Sequence, residues 1–574
     1  MNYKIKISIS VFIFVFSVFL NSLYLTKGMP SSQRASLVFK NKQNLKDALP
    51  YLIKAREDVY SDYSSKSGSE LLKLYKEDSK EAFLKWDGKI IKTEKKKLHA
   101  LRSVLLQNRF PDEQKILYAV SKIKPAEFKF DPGVYQYGGI YFYSCGALIK
   151  ACSVLGICKL GDSSFYMENH EQAALLYSAG KFTGVLSAAF FAVILFFIGT
   201  DFFSFKAGLF SALFAATLPS IAFEAHALKP YAFFLPFWGL CVYYSLKSIK
   251  FKEKFNRFYF LSGLYAGLAG GSMLLASFCV FSFLTAYFFY AKENKINLKV
   301  FLLGPFAFIS GFFLANPYYI FSFKNAFGEI VYVKGAHNLV FSLSHMIRFA
   351  LFELNKILSW PVYLLFAGAV ILGFKEKNKF LIVSSSPFFF YFIYTSNAHW
   401  DFPHYSMPLA AAALPAAGFF AERMISYSKK AYLILSFAVL FNLGNTLYDR
   451  KIFLENEENL NKAGKWITEN IPKGAKVAFD TYPYFGFKSY PPFPLPDYRI
   501  KEKNDGDYYV LNDINQYYGC MDLSYRDGMS ESADFDKKYV LIADFYRKKT
   551  FWDKIYPNHR YVLFEQRIAV YKKK

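Results

Sequence analysis

The 574-residue chain lacks the short motifs by which many soluble enzymes are recognised. It has no Walker loop, no GxGxxG, no HExxH and no GxSxG, which argues against a domain that binds and hydrolyses a nucleotide. Its cysteines are few: Cys145, Cys152, Cys158, Cys241, Cys279 and Cys520. They form no CxxC pair and no metal-ligand spacing, so they imply neither zinc nor a disulfide framework. Most read as small apolar packers. No internal repeat is visible, which argues against the paired halves of many transporters. Acids are outnumbered: 45 Asp and Glu face 70 Lys and Arg, for a net charge of +25. A nucleic-acid partner is set aside, because the cations sit mostly in links between apolar blocks and in one outer loop. Membrane topology and contact with anionic lipid or lipid phosphate account for them.

What the chain has is apolar and aromatic mass. It is 53% hydrophobic, with 66 Phe and 44 Tyr, above the share of about 45–50% usual for a soluble protein. The excess falls in blocks of about 16–25 residues, the pattern of a polytopic helical membrane protein. Residues 7–26 follow Lys4 and Lys6 and read as an uncleaved anchor, since no small-x-small cleavage site follows. Further blocks fall at 173–199, 206–222, 231–247, 258–275, 276–291, 299–317, 358–374, 379–395, 405–421 and 431–447. The most basic links, Lys247–Arg257, Lys292–Lys299, Lys375–Lys379 and Arg423–Lys430, belong in the cytoplasm by the positive-inside rule. This works if residues 136–158, interrupted by Lys150, do not cross once. The expectation is about eleven spans with the N-terminus inside and the C-terminus outside.

The divisions expected are a membrane anchor helix over 1–26, a first extracytoplasmic loop over 27–172, a polytopic domain over 173–447 and a soluble domain over 448–574. The loop is rich in Lys and in amphipathic helical patterns. The last segment alternates short strand-like runs (KVAFDTY, DYYVLNDI, KKYVLIADF) with the helix NLNKAGKWITENIP, and reads as a small α/β domain. The fold class is therefore an all-α polytopic membrane protein carrying a small extracytoplasmic α/β domain.

This topology gathers polar residues on one outer face. Asp112 and Glu113 stand in the first loop; Glu224, His226 and Lys229 lie in FEAHALKPY. Arg348 lies in the link 316–360, and His399, Asp401 and His404 lie in TSNAHWDFPHY. Adjacent carboxylates beside a membrane suit general-base work on a hydroxyl if burial or a cation holds them. Two solvated acids at a helix start, with Pro111 before and Lys115 after, give the same spacing. Boundary residues are polar in any case. A face bearing both acids and cations is what a phosphorylated lipid substrate needs.

The order of these features resembles the GT-C membrane glycosyltransferases, in particular the branch of protein O-mannosyltransferases and lipid A aminoarabinose transferases. The acidic pair Asp112-Glu113 is followed by an aromatic, glycine-bearing element, Pro132–Tyr143, which includes Tyr137. The run LLYSAGKFTGVLSAAFFAVILFFIGTDFFSFKAGLFSALFAATLPS (175–220) is similar to the family's helix pair around a short inner link. HALKPYAFFLPFW and YFLSGLYAGLAGGSMLLAS resemble two further family segments, and AGKWITENIPKGAKVAF resembles the start of an outer domain in bacterial members. The resemblance covers about 105–480. Tyr231 departs from the family, standing where an acid is common. So do Ser272 and Met273, which stand where a Lys-aromatic pair is common.

The resemblance implies inverting transfer of a sugar from a polyprenyl-phosphate donor to an extracytoplasmic acceptor hydroxyl on a glycan, lipid or protein. It implies Asp112 as base, with Glu113 orienting the acceptor or the base. Lys229, Arg348 and His404, in that order, are the candidates to face the phosphate, with His226 and Tyr137 beside them in the substrate site. It implies no cofactor beyond the lipid-phosphate sugar as co-substrate; no metal cluster is evident, and a divalent metal is left open. Membrane lipids are the other partners, and a bacterial inner membrane with an outward site is the implied location. Two rivals stand beside this: a lipid or solute transporter or flippase, and an inactive assembly subunit.

Overall fold

The computed structural model describes residues 3–26, 28–63, 81–108, 112–294, 296–335, 340–398, 403–479, 490–502, 506–513, 537–548, 550–555 and 567–574. The apolar run after Lys4 and Lys6 forms α1 (Tyr3–Ser22). Three helices follow, α2 (Ser32–Phe39), α3 (Lys42–Tyr63) and α4 (Lys95–Leu106), with a hairpin of β1 (Glu81–Trp86) and β2 (Lys89–Glu94) before the last. Then come α5 (Asp112–Lys122), α6 (Gly139–Val154), α7 (Ser163–Glu168) and α8 (His170–Phe202). The bundle continues as α9 (Phe205–Thr217), α10 (Pro219–Ala225), α11 (Leu235–Lys250), α12 (Phe255–Ser272), α13 (Val280–Asn294) and α14 (Leu298–Ala315). It closes with α15 (Phe323–Gly335), α16 (Leu343–Arg348), α17 (Leu354–Leu358), α18 (Trp360–Glu376), α19 (Lys379–Thr395), α20 (Met407–Tyr427) and α21 (Ala431–Asn470).

Among the described residues, five helices are long and apolar enough to cross a membrane, or seven if two bent pairs each count as one. The five are α1, α8, Leu274–Asn294, α14 and α21; the bent pairs are α9 with α10, at 54°, and Leu343–Leu358 with Trp360–Gly373, at 120°. Helices α11, α12, α19 and α20 hold the remaining positions expected from the apolar blocks. They are shorter or richer in small and polar residues, and α20 is buried along almost its whole first half. A helix walled in by others need not present apolar side chains to lipid. The chain is thus an integral, mostly helical membrane protein.

Small residues set the closest crossings. A Cβ on Gly267 of α12 would come 2.1 Å from the Phe308 carbonyl oxygen of α14, and one on Gly263 would come 2.4 Å from that of Gly304. The Gly-Leu-Ala pattern of α12 is therefore a contact face where two backbones meet. At the end of the bundle nearest the N-terminus, Lys6 of α1 pairs with Asp201 of α8 at 2.9 Å, and the Tyr243 hydroxyl donates to the same carboxylate.

Helix α6 lies beside only part of α8. Cys145 Sγ is 3.3 Å from Thr183 Oγ1, while the Lys159 amide donates to Gln172 Oε1 at 2.7 Å. The two run antiparallel over the first turns of α8. Helix α8 has 33 residues and spans about 50 Å, more than the roughly 30 Å of a hydrocarbon core, so one end must project.

That projecting end meets a second body. Strands β3 (Lys476–Phe479), β4 (Arg499–Glu502), β5 (Tyr508–Asp513), β6 (Tyr539–Phe545) and β7 (Arg567–Lys573) form one sheet in the order β4-β3-β5-β7-β6. β3 is parallel to β4 and β5, and β7 is antiparallel to β5 and β6. A short helix, α22 (Phe551–Ile555), precedes β7. The sheet shares one apolar core with α2–α4, the β1–β2 hairpin and the far part of α21. Trp86 Nε1 donates to Asp497 at 2.8 Å, and Lys97 Nζ donates to the Tyr498 carbonyl at 3.2 Å. The α/β domain expected from the alternating runs is present, and the first loop packs on it.

Candidate functional site

The site is built where α5 begins. Leu106 ends α4, and its carbonyl accepts from the Tyr177 hydroxyl of α8 at 3.0 Å. The next carbonyl, Gln107, accepts from Arg34 at 2.5 Å. The chain is thus held on both sides just before the acidic pair. Asp112 is the first residue of α5, and its side chain lies outside the described residues.

Glu113 is fully buried. One oxygen accepts from the Leu228 amide at 2.9 Å; the other lies 3.1 Å from Lys181 Nζ of α8 and also accepts from Asn108 Nδ2. Lys181 itself is 4% exposed. Burial pushes the Glu113 carboxyl above its ordinary value, against the pull of Lys181 and the donors of Leu228 and Asn108. A buried acid with every oxygen engaged is a fastener. Here it joins the start of α5 to α8 and to the turn between α10 and α11.

That turn, residues 226–234, carries HALKPY. Proline at 230 fixes its own φ and restricts Lys229 before it. Lys229 is buried, 5.8 Å over the ring of Tyr231, and close enough to the buried Glu224 for attraction. His226 Nε2 donates to the Asn21 carbonyl at 2.6 Å, tying the end of α1 to the turn. Burial, with Arg450 and Lys181 adding to it, pushes this imidazole well below its ordinary value. Arg450 of α21 donates to the Ala222 carbonyl at 2.6 Å and closes the turn from behind.

An aromatic stack completes the wall. Tyr231 is buried between Tyr137, edge-on at 6.3 Å, and His404, stacked at 4.2 Å. Tyr405 meets Tyr231 edge-on at 6.1 Å, and its carbonyl accepts from Tyr391. The position where the family resemblance leads one to expect an acid is therefore filled by a packed phenol. Tyr137 is placed by its neighbours: the Gly138 amide donates to the Ser272 carbonyl at 3.1 Å and the Gly139 amide to Asn316 Oδ1 at 2.8 Å. A Cβ on Gly138 would sit 1.7 Å from the Gly271 oxygen, so only glycine fits. Ser272, the other departure, serves here through its backbone.

Of the residues singled out from sequence, Glu113, His226, Lys229, Tyr137 and His404 converge on this end of the bundle, with Asp112 at the same helix start. Arg348 lies exposed on α16, and none of the described contacts joins it to the turn. His399 and Asp401 lie outside the described residues. Sequence reasoning missed Lys181 and Arg450. Lys181 is the one Lys or Arg of the apolar α8, and that was the available signal, since intramembrane charge is costly and pairs with something; Arg450 stands beside Lys451 where the apolar run of α21 ends. Among the described residues no group of three or more His, Cys, Asp or Glu is placed to hold a metal.

No protein-family model matches the chain, and no curated protein matches it. A solved structure, ArnT from Cupriavidus metallidurans bound to undecaprenyl phosphate, is similar with a TM-score of 0.40 and 9% identity, over 80% of this chain and 93% of that one.

Proposed function

We propose that the protein is a membrane glycosyltransferase that moves a sugar from a polyprenyl-phosphate donor to an acceptor hydroxyl with inversion. The observation that supports this most is the 2.9 Å bond from the Leu228 amide to Glu113. It brings the start of α5, with Asp112, against the turn that bears Lys229. A helix start that carries an acid and a turn that carries a cation, meeting at one end of the bundle, suit proton removal and charge stabilisation in one reaction.

In this reading the acceptor oxygen attacks the anomeric carbon while Asp112 takes its proton. The bond from that carbon to the phosphate oxygen breaks, and the phosphate leaves with the electron pair. One in-line displacement inverts the centre, unlike the double displacement of a retaining hydrolase. Lys229 faces the charge that develops on the phosphate, with His404 as a further candidate; such groups act because they are already in place. Glu113 holds the turn and α5 in register. His226 and Tyr137 shape the wall.

The test uses membranes supplied with radiolabelled lipid-phosphate sugar. Transfer of label to an acceptor is expected from the parent and is abolished in Asp112→Asn at normal membrane insertion. Parent-rate transfer by that variant removes Asp112 as the base. Label that crosses the bilayer with its phosphate–sugar bond intact identifies a flippase instead. Lys229→Gln is expected to lose about 10²–10³ in rate, the usual cost of one preorganised donor.

A further inference from the structure

Two short helices between α14 and α18 are amphipathic the wrong way round for water. On α15, Phe323, Phe327 and Val331 recur at i, i+4 and i+8, so they share one face. They are 64, 55 and 49% exposed. The acid of this helix points inward instead. Glu329 accepts from the Tyr135 amide at 2.6 Å and lies 3.6 Å from Lys115. Ala326 is buried beside it, in a cluster with Tyr135, Tyr318 and Tyr319. On the next segment, Leu343, Ile347 and Leu351 repeat the same spacing and are also exposed, while Phe349 and Leu354 are buried.

An outward apolar face needs an apolar neighbour. The adjoining surface identifies it. The exposed stripe of α14, with Phe306, Ile309 and Leu314, faces the hydrocarbon as a spanning helix must. Exposed Ile320 and Phe321 carry that surface without a gap into α15. Lys324, His345 and Arg348 are exposed on the same two helices, where long basic side chains reach lipid phosphates. From Leu343 to Leu358 the chain then meets the span Trp360–Gly373 at a 120° bend, and Ser359 at that bend has φ 59°.

We propose that α15 and the segment from Leu343 to Leu358 lie within the lipid leaflet at the site's end of the bundle, their exposed faces in contact with acyl chains. This does not rest on the enzymatic reading. It makes 316–335 and 340–358 a membrane-embedded collar beside the site.

The experiment reconstitutes the full chain in phosphatidylethanolamine–phosphatidylglycerol vesicles containing a phospholipid with a diazirine in its acyl chain. After illumination, peptides are mapped by mass spectrometry. Carbene adducts are expected on 316–335 and 340–358 as heavily as on α14. Adducts on α1 and α14 with both segments clean overturn the proposal. The variant Phe323→Gln/Phe327→Gln is expected to lose adducts from 316–335 while α14 keeps its own, which shows that the bundle has folded. A photoreactive phenylalanine at position 327 is expected to capture lipid; capture of a second copy of the chain overturns the proposal.

Discussion

Two ion pairs at opposite ends of the bundle use the same chemistry in different surroundings. Lys6 and Asp201 meet at 2.9 Å, each 25% exposed. Lys181 and Glu113 meet at 3.1 Å, at 4% and 0%. The first joins α1 to α8 where water can replace either partner, and pairs of that kind contribute little. The second has no water to fall back on. Its value is in fixing one arrangement of α5, α8 and the 226–234 turn, since any other leaves a charge stranded. The contrast shows that an ion pair in this protein positions by being buried rather than by being close.

The largest expected break in that contrast is Lys181→Met. It strands the Glu113 carboxylate at a cost of about 3–5 kcal/mol, and thermal unfolding of the detergent-solubilised protein should show a correspondingly lower midpoint. Adding Glu113→Gln to it should recover most of that stability, because a neutral pair of similar shape needs no counter-charge. Transfer activity should stay low in the double variant if the pair's role is to hold Asp112 at the turn; full activity would reduce it to packing. Lys6→Met should cost least, about 0–1 kcal/mol, and so shift the midpoint least; a loss as large as that of Lys181→Met would erase the distinction.

A third pair sharpens the comparison outside the membrane. Arg547 and Asp553, 3% and 7% exposed, meet at 2.6 Å, and Asp553 also accepts from Tyr448 of α21 at 2.8 Å. Burial raises the Asp553 carboxyl, but the bonds from Arg547, Thr550 and Tyr448 outweigh it and hold it well below its ordinary 3.8. A depressed acid stabilises above its unfolded value and loses that contribution as pH falls toward the folded one. An acid-active protease should therefore cut near residue 553 more readily at about pH 3 than at about pH 5. Asp553→Asn should be cut equally at both.

Much of the bundle was legible. Apolar blocks and basic links placed the helices, and alternation marked the strands. Only part of the site was. Asp112-Glu113 stood out as adjacent acids in a basic loop, but the partner of Glu113 lies in an apolar run, where one Lys reads as an interruption. The composition change near 448 reads as a boundary, yet α21 runs through it unbroken to Asn470, because Leu, Glu, Lys and Asn there permit helix in either medium. The core shared by Ala35–Leu106 and Leu460–Val570 was illegible in principle. It depends on contacts hundreds of residues apart, which no local pattern records.

That unbroken α21 has a mechanical consequence. Twenty residues beyond Arg450 amount to a strut of about 30 Å with no joint at the membrane surface. Trp552 of the sheet-bearing body donates to Asn445, earlier on the same helix, at 3.1 Å, so the body is braced at both top and foot. The sheet-bearing body is thereby kept at a set height along α21, as if measured by a ruler.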